Sequence, residues 1–135
     1  MKKTKILSFI MVFMVLVSLF TNSVYAASTY TNNTIATNTN FYISDSGMAM
    51  VSTSYTGREG ITTGATISIT ISKRSFLFFW NEVVTHTLYS TEVDYTNVYK
   101  YQLSSTGTYK CEVEYCISGT GGADDILTFE DTATY

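Results

Sequence analysis

The chain has 135 residues, of which 45% are hydrophobic and 15% aromatic, a composition typical of a folded domain rather than a disordered one. Without the three lysines of its first 26 residues, five basic residues stand against eleven acidic ones, a net charge of −6. That sign opposes binding to nucleic acid or to an anionic membrane, both of which call for basic patches.

Residues 1–26 have the pattern of a cleaved signal peptide. A basic start is followed by an apolar run over residues 6–20, and small residues, Val24 and Ala26, occupy the positions that a signal peptidase reads. The run is shorter than the ~20 residues that a membrane-spanning helix needs. No lipid-anchoring cysteine follows and the end of the chain carries no sorting motif, so we expect a secreted, extracellular and soluble protein.

The next segment, residues 27–40, is rich in Thr and Asn and poor in apolar residues. Such a composition predicts a flexible arm or a frayed first strand. The folded domain is therefore expected to span residues 41–135.

Residues 41–135 consist of short runs in which apolar and polar residues alternate. The clearest is ATISITIS, where Ile67, Ile69 and Ile71 share one face of a strand. Turn signals separate the runs, and no window has helical spacing. This pattern predicts an all-β fold, a single antiparallel β-sandwich of about six to eight strands.

The two cysteines lie five positions apart in the run TYKCEVEYCI. Alternation places Cys111 on the apolar face of this strand and Cys116 on the charged face. Their α-carbons would be roughly 16 Å apart along a strand, whereas a disulfide needs about 7 Å or less. We expect no disulfide within the chain. An exposed Cys116 thiol could cross-link two chains, so the expected state is a monomer or a weak dimer.

The stretch LSSTGTYKCEV resembles the approach to the sixth strand of immunoglobulin-like domains. Leu103, Gly107, Tyr109 and Cys111 match that pattern in register, while Ser105 stands where the family usually has Asp. The resemblance implies that the Tyr109 hydroxyl hydrogen-bonds to upstream backbone.

The same resemblance assigns a core position to Trp80. It also places the family's second cysteine near residues 67–71, where this chain has none. As a whole, residues 41–135 resemble small exported proteins of Gram-positive bacteria, which are mostly of unknown function.

Few residues are suited to catalysis or to holding a metal. His86 is the only imidazole, and a strand histidine without a nearby nucleophile is not catalytic. Glu112 and Glu114 share a strand face, but the pattern makes that face a solvated one. The Gly-rich loop before Asp124 and Asp125 could offer oxygen ligands to Ca²⁺, although its glycines suit a plain hairpin loop equally well. We predict no enzyme, no metal and no cofactor.

The segment RSFLFFW is the most unusual part of the chain. If it is a strand with Trp80 in the core, Phe76 and Phe78 are buried as well, while Leu77 and Phe79 point outward. If it is a loop, several aromatic side chains are exposed together unless another segment covers them, and exposed apolar patches mark contact sites.

The predicted function is accordingly a secreted, non-enzymatic binding module that contacts an unknown protein, a cell-wall polymer or a membrane surface through residues 76–80. The alternative is a toxin-like or antimicrobial protein that acts on membranes through the same segment. A further hypothesis is sugar stacking on a tyrosine platform formed by Tyr89, Tyr95, Tyr99 and Tyr101.

Overall fold

The structure is a computed structural model that describes residues 31–135. The described residues contain seven strands: β1 Thr34–Ile43, β2 Met48–Gly57, β3 Thr62–Phe76, β4 Phe79–Ser90, β5 Asp94–Gln102, β6 Thr108–Gly119 and β7 Asp125–Thr134. The predicted signal peptide and residues 27–30 of the predicted arm lie outside the described residues.

The seven strands form two antiparallel sheets. One sheet has the order β1-β2-β5 and the other the order β4-β3-β6-β7. The chain crosses between the sheets after β2, β4 and β5, so neighbours in sequence are often not neighbours in a sheet. The prediction of an antiparallel β-sandwich of six to eight strands is confirmed.

The core lies between the sheets, and strict alternation along the strands builds it. On β3 the three isoleucines of the ATISITIS run point inward and are at most 1% exposed, while the Ser and Thr residues between them point outward. Burying an isoleucine side chain contributes roughly 1.5–3 kcal/mol, so a one-residue shift of this strand would be strongly unfavourable. The inward-facing core side chains are Phe41, Ala49, Val51, Tyr55, Ala65, Ile67, Ile69, Ile71, Leu103, Tyr109, Cys111, Val113, Tyr115 and Ile117.

Of the two alternatives predicted for residues 27–40, the structure shows a first strand and not a flexible arm over residues 34–40, which form most of β1 and pair with β2. The reason is a polar network that composition does not reveal. The buried carboxylate of Asp125 accepts hydrogen bonds from the backbone N–H groups of Asn32, Asn33 and Thr34 at 2.7, 2.7 and 2.8 Å. These bonds fix the start of β1 to the start of β7.

The side chain of Asn33 completes this anchor. Its amide nitrogen donates to the carbonyl oxygens of Ile117 and Ala123 at 3.2 and 3.0 Å, and its amide oxygen accepts from the Gly121 N–H at 3.1 Å. Gly119 has to be glycine here, because a β-carbon would lie 2.6 Å from the Asn33 amide oxygen. We call this group, Asn32–Thr34 with Asp125 and the β6–β7 loop, the anchored end of the sandwich.

The opposite end carries the hydrogen bond that the immunoglobulin resemblance implies. The Tyr109 hydroxyl donates to the carbonyl oxygen of Ser105 at 2.6 Å, and the tyrosine is only 1% exposed. The backbones of Gly107 and Tyr135 exchange two further hydrogen bonds, of 3.1 and 2.9 Å. The loop before β6 is thereby tied to the last residue of the chain.

One strand assignment of that resemblance is wrong. In the family, the cysteine that the resemblance places near residues 67–71 forms a disulfide between the two sheets, so its strand would face β6 across the core. In the structure β3 is hydrogen-bonded to β6 in the same sheet, with Ile69 opposite Val113. A cysteine on β3 could therefore not serve as the partner of an intersheet disulfide.

Candidate functional site

The sequence did not decide whether the segment RSFLFFW is a strand or a loop. In the structure it contains the tight hairpin that joins β3 and β4. Phe76 pairs with Phe79, so Leu77 and Phe78 alone form the turn. Strand β3 continues through the polar KRS stretch with the help of register shifts between Ile71 and Ser72 and between Arg74 and Phe76. Such shifts let a strand bend beyond the body of a sandwich.

The four residues at the end of this hairpin are all apolar and all exposed. The exposed fractions are 67% for Phe76, 62% for Leu77, 86% for Phe78 and 68% for Phe79. No other segment of residues 31–135 covers them. We call residues 76–79 the apolar tip.

The turn chemistry of the apolar tip is unfavourable for folding. Two-residue hairpin turns prefer Asn, Asp or Gly, because at least one of their residues has a positive φ. Here Leu77 has a φ of 39°. A bulky residue held in that region costs of order 1–3 kcal/mol. Neither the turn nor the core explains why Leu and Phe occupy these positions.

The prediction that Trp80 belongs to the core is wrong. Trp80 pairs with Arg74 on the outer face of the four-stranded sheet, and two cations lie close to its ring. The Arg74 guanidinium carbon is 4.9 Å from the ring centroid, and Lys110 Nζ is 5.4 Å from it. Cations over an indole face are attracted to its π-electrons. The core positions at this level are filled by Ile71 and Tyr109 instead.

Three of the five basic residues of the described chain lie at the base of the apolar tip. Arg74 is exposed, while Lys73 Nζ donates to the Ser105 hydroxyl at 2.7 Å. Lys110 Nζ forms ion pairs with Glu112 at 3.0 Å and Glu130 at 3.6 Å. The hydrogen bond to Glu112 is the main cause of the raised pKa of Lys110. The tip is thus apolar, and its base combines three cations with the two carboxylates that pair with Lys110.

The carboxylates weighed as catalytic groups lie on the outer face of the four-stranded sheet. Glu112 and Glu114 line a shallow open groove together with Glu130, Ser68 and Thr70. Among residues 31–135, no three His, Cys, Asp or Glu side chains are grouped so as to hold a metal ion.

The loop considered as a Ca²⁺ site has a structural role. Asp125 is engaged by the three N–H groups of the anchored end, and only the exposed Asp124 remains. This loop therefore holds the start of β1 rather than presenting two free carboxylates.

The four tyrosines do not form the predicted platform, and one of them stacks on His86. The His86 ring is stacked on Tyr99 with centroids 4.3 Å apart and planes 9° apart, which bridges β4 and β5. Tyr95, Tyr99 and Tyr101 are half-buried on the inner face of β5, and burial is the main cause of the raised pKa of Tyr99. Tyr89 lies on β4 and is 76% exposed. The four rings therefore share no common surface.

Both cysteines are free, on opposite faces of β6. Cys111 is fully buried, and burial, followed by the charges of Asp131 and Glu112, raises the pKa of its thiol to about 12. The half-buried Cys116 thiol contacts the Asp124 carboxylate at 3.7 Å, and burial and this carboxylate also raise its pKa. Neither thiol has the lowered pKa of a reactive nucleophile.

Comparison of the chain with protein-family models, with curated proteins and with solved structures finds no match. None of the residues described, 31–135, belongs to a helix with the length and apolarity needed to span a bilayer.

Proposed function

We propose that the protein is a secreted, non-enzymatic interaction module whose contact surface is the apolar tip, with Trp80 and its cations at the base. The observation that carries the proposal is the exposure of four consecutive apolar side chains at a turn where Leu77 has a positive φ. Exposed apolar patches of this kind mark interaction sites. The non-enzymatic part of the proposal is supported by His86, which stacks on Tyr99, and by the raised pKa values of both thiols.

We also propose an immunoglobulin-like relationship, with export from a Gram-positive cell. Support comes from the sheet composition, in which three strands face four, and from the bond between Tyr109 and Ser105 just before β6. A tyrosine whose hydroxyl bonds to upstream backbone at this strand is a hallmark of such domains. Their binding loops cluster at the ends of the sandwich, which is also where the apolar tip lies.

A second candidate function is a toxin-like or antimicrobial activity on membranes. The specific observation in its favour is the set of cations Lys73, Arg74 and Lys110 beside an exposed Phe/Leu cluster and a tryptophan. Apolar side chains that enter the acyl boundary and cations that meet anionic head groups act together at membrane interfaces. The net charge of −6 over residues 27–135 opposes this activity, whereas the exposed Arg74 at the base of the tip favours it.

The experiment compares the native protein with Phe79→Ser and with the control Ile126→Ser. Both substitutions remove an exposed apolar side chain, 68% and 61% exposed, but Ile126 lies on β7, away from the tip. Each protein is tested for co-sedimentation with purified peptidoglycan, for co-sedimentation with phosphatidylcholine/phosphatidylglycerol vesicles, and for dye release from the same vesicles.

The interaction module is expected to bind one of the two surfaces and to leave the vesicles intact, with binding reduced at least about tenfold by Phe79→Ser and unchanged by Ile126→Ser. Dye release that Phe79→Ser abolishes would instead establish the membrane-active alternative. Binding that both substitutions reduce equally, or that neither reduces, would refute the tip as the contact surface.

A further inference from the structure

Strand β4 is an unpaired edge that extends beyond the smaller sheet. Four strands face three, and β1 closes one side of the sandwich by approaching β7 to within 8 Å between α-carbons. On the other side β5 leaves β4 only partly covered. The inward-facing side chains Val84, His86 and Leu88 are consequently half-buried, although they pack against the core or against Tyr99.

The segment 84–90 of this edge lacks the features that normally prevent edge-to-edge pairing. Its sequence, VTHTLYS, contains no Lys, Arg, Asp, Glu, Pro or Gly. Two of the other outer strands do contain such features, since β7 has Asp125, Glu130 and Asp131 and β5 has Asp94 and Lys100. The remaining outer strand, β1, has none either, but it lies against β7 on the closed side of the sandwich. Natural proteins protect exposed edges with charges, and an edge without them is a template for another strand.

The segment is also complementary to itself. When two antiparallel copies are aligned with His86 opposite His86, Val84 meets Leu88 on the inner face and Thr85 meets Thr87 on the outer face. These are pairings of apolar with apolar and of hydroxyl with hydroxyl residues, which stabilise adjacent strands. Because segment 84–90 contains no carboxylate and His86 is its only basic residue, the net negative charge of each copy is kept away from the seam.

We propose that two copies of this chain pair antiparallel through β4, with the two-fold axis at His86, to form one continuous eight-stranded sheet. Strand addition supplies backbone hydrogen bonds to the open edge, and the second copy covers the half-buried side chains of the first. In this dimer the two apolar tips point in opposite directions. Sixteen residues of strand separate the two Phe78 positions, a distance of about 50 Å.

The test places charges at Thr85 and Thr87, which are both exposed and point away from the core, so that the monomer fold tolerates them. The state of association is measured by sedimentation velocity across a concentration series. In Thr85→Lys/Thr87→Lys, each introduced lysine faces a lysine of the other copy. In Thr85→Lys/Thr87→Glu, the introduced lysine of each copy faces the introduced glutamate of the other copy. The control Thr96→Lys/Val98→Lys adds the same charge to exposed positions of β5.

The native protein and the β5 control are expected to be in a monomer–dimer equilibrium. The Lys/Lys variant of β4 should be monomeric throughout, although its added positive charge reduces the overall repulsion between copies. The Lys/Glu variant should dimerise at least as well as the native protein. A mixture of the Lys/Lys variant with Thr85→Glu/Thr87→Glu should form a mixed dimer although neither forms a dimer alone.

A native protein that stays monomeric across the series would overturn the proposal. A dimer that all three β4 variants retain unchanged would also overturn it, because the contact would then lie elsewhere. Circular dichroism of each variant establishes that the strands remain folded. The outcome is independent of the apolar tip, since no variant alters residues 76–80.

Discussion

The two ends of the sandwich differ in kind: one holds a network of polar groups, and the other exposes apolar side chains to water. At the anchored end, the Asp125 carboxylate receives three N–H groups and the Asn33 side chain makes three further hydrogen bonds. At the other end, the apolar tip leaves four hydrophobic side chains in water. The tip is not a loose part of the fold, because Lys73 and Tyr109 at its base both hydrogen-bond to Ser105. The four side chains of the tip are therefore exposed although the structure beneath them is well ordered by hydrogen bonds.

The largest expected effect comes from breaking the anchored end. Asp125→Ala leaves buried N–H groups without an acceptor, and we expect the free energy of unfolding to fall by about 3–5 kcal/mol. Asp124→Ala, at the exposed neighbouring position, should change it by no more than about 0.5 kcal/mol. Urea titrations followed by tyrosine and tryptophan fluorescence measure both values. Equal losses in the two variants would show that the anchor is unimportant.

A smaller effect is expected beneath the apolar tip. Tyr109→Phe keeps the buried ring but removes the donor to Ser105, which should lower the free energy of unfolding by about 1 kcal/mol. The matched control is Tyr42→Phe, since the Tyr42 hydroxyl contacts Met50 Sδ at a site that is 45% exposed. The same urea titration should show almost no change for the control. If both losses are similar, the bond to Ser105 does not order this end.

The sequence predicts those parts of the fold that depend on the alternation of apolar and polar residues along a strand. The inward isoleucines of β3 and the opposite faces of Cys111 and Cys116 follow from a period of two. The anchored end could not be derived in this way, because it joins Asn33 to Asp125 across 92 positions of the chain through hydrogen bonds that leave no periodic pattern.

Trp80 shows a second limit. The resemblance to immunoglobulin-like domains implied a core position, but Trp80 lies on the outer face beside Arg74 of β3 and Lys110 of β6, beyond a register shift between β3 and β4. For the candidate site, the sequence identified the apolar segment correctly as unusual. It could not distinguish a buried strand from a hairpin turn, since either accommodates a run of aromatic residues.

The most direct measurement of the central claim replaces the turn of the apolar tip with the preferred hairpin sequence, in Leu77→Asn/Phe78→Gly. Free energy of unfolding and binding to the surface that the native protein recognises, peptidoglycan or vesicles, are measured on the same preparation. Relief of the positive φ at Leu77 should leave the variant as stable as the native protein or up to about 1 kcal/mol more stable, while binding falls at least about tenfold. A variant that loses stability and keeps its binding would show that the tip serves folding and not contact.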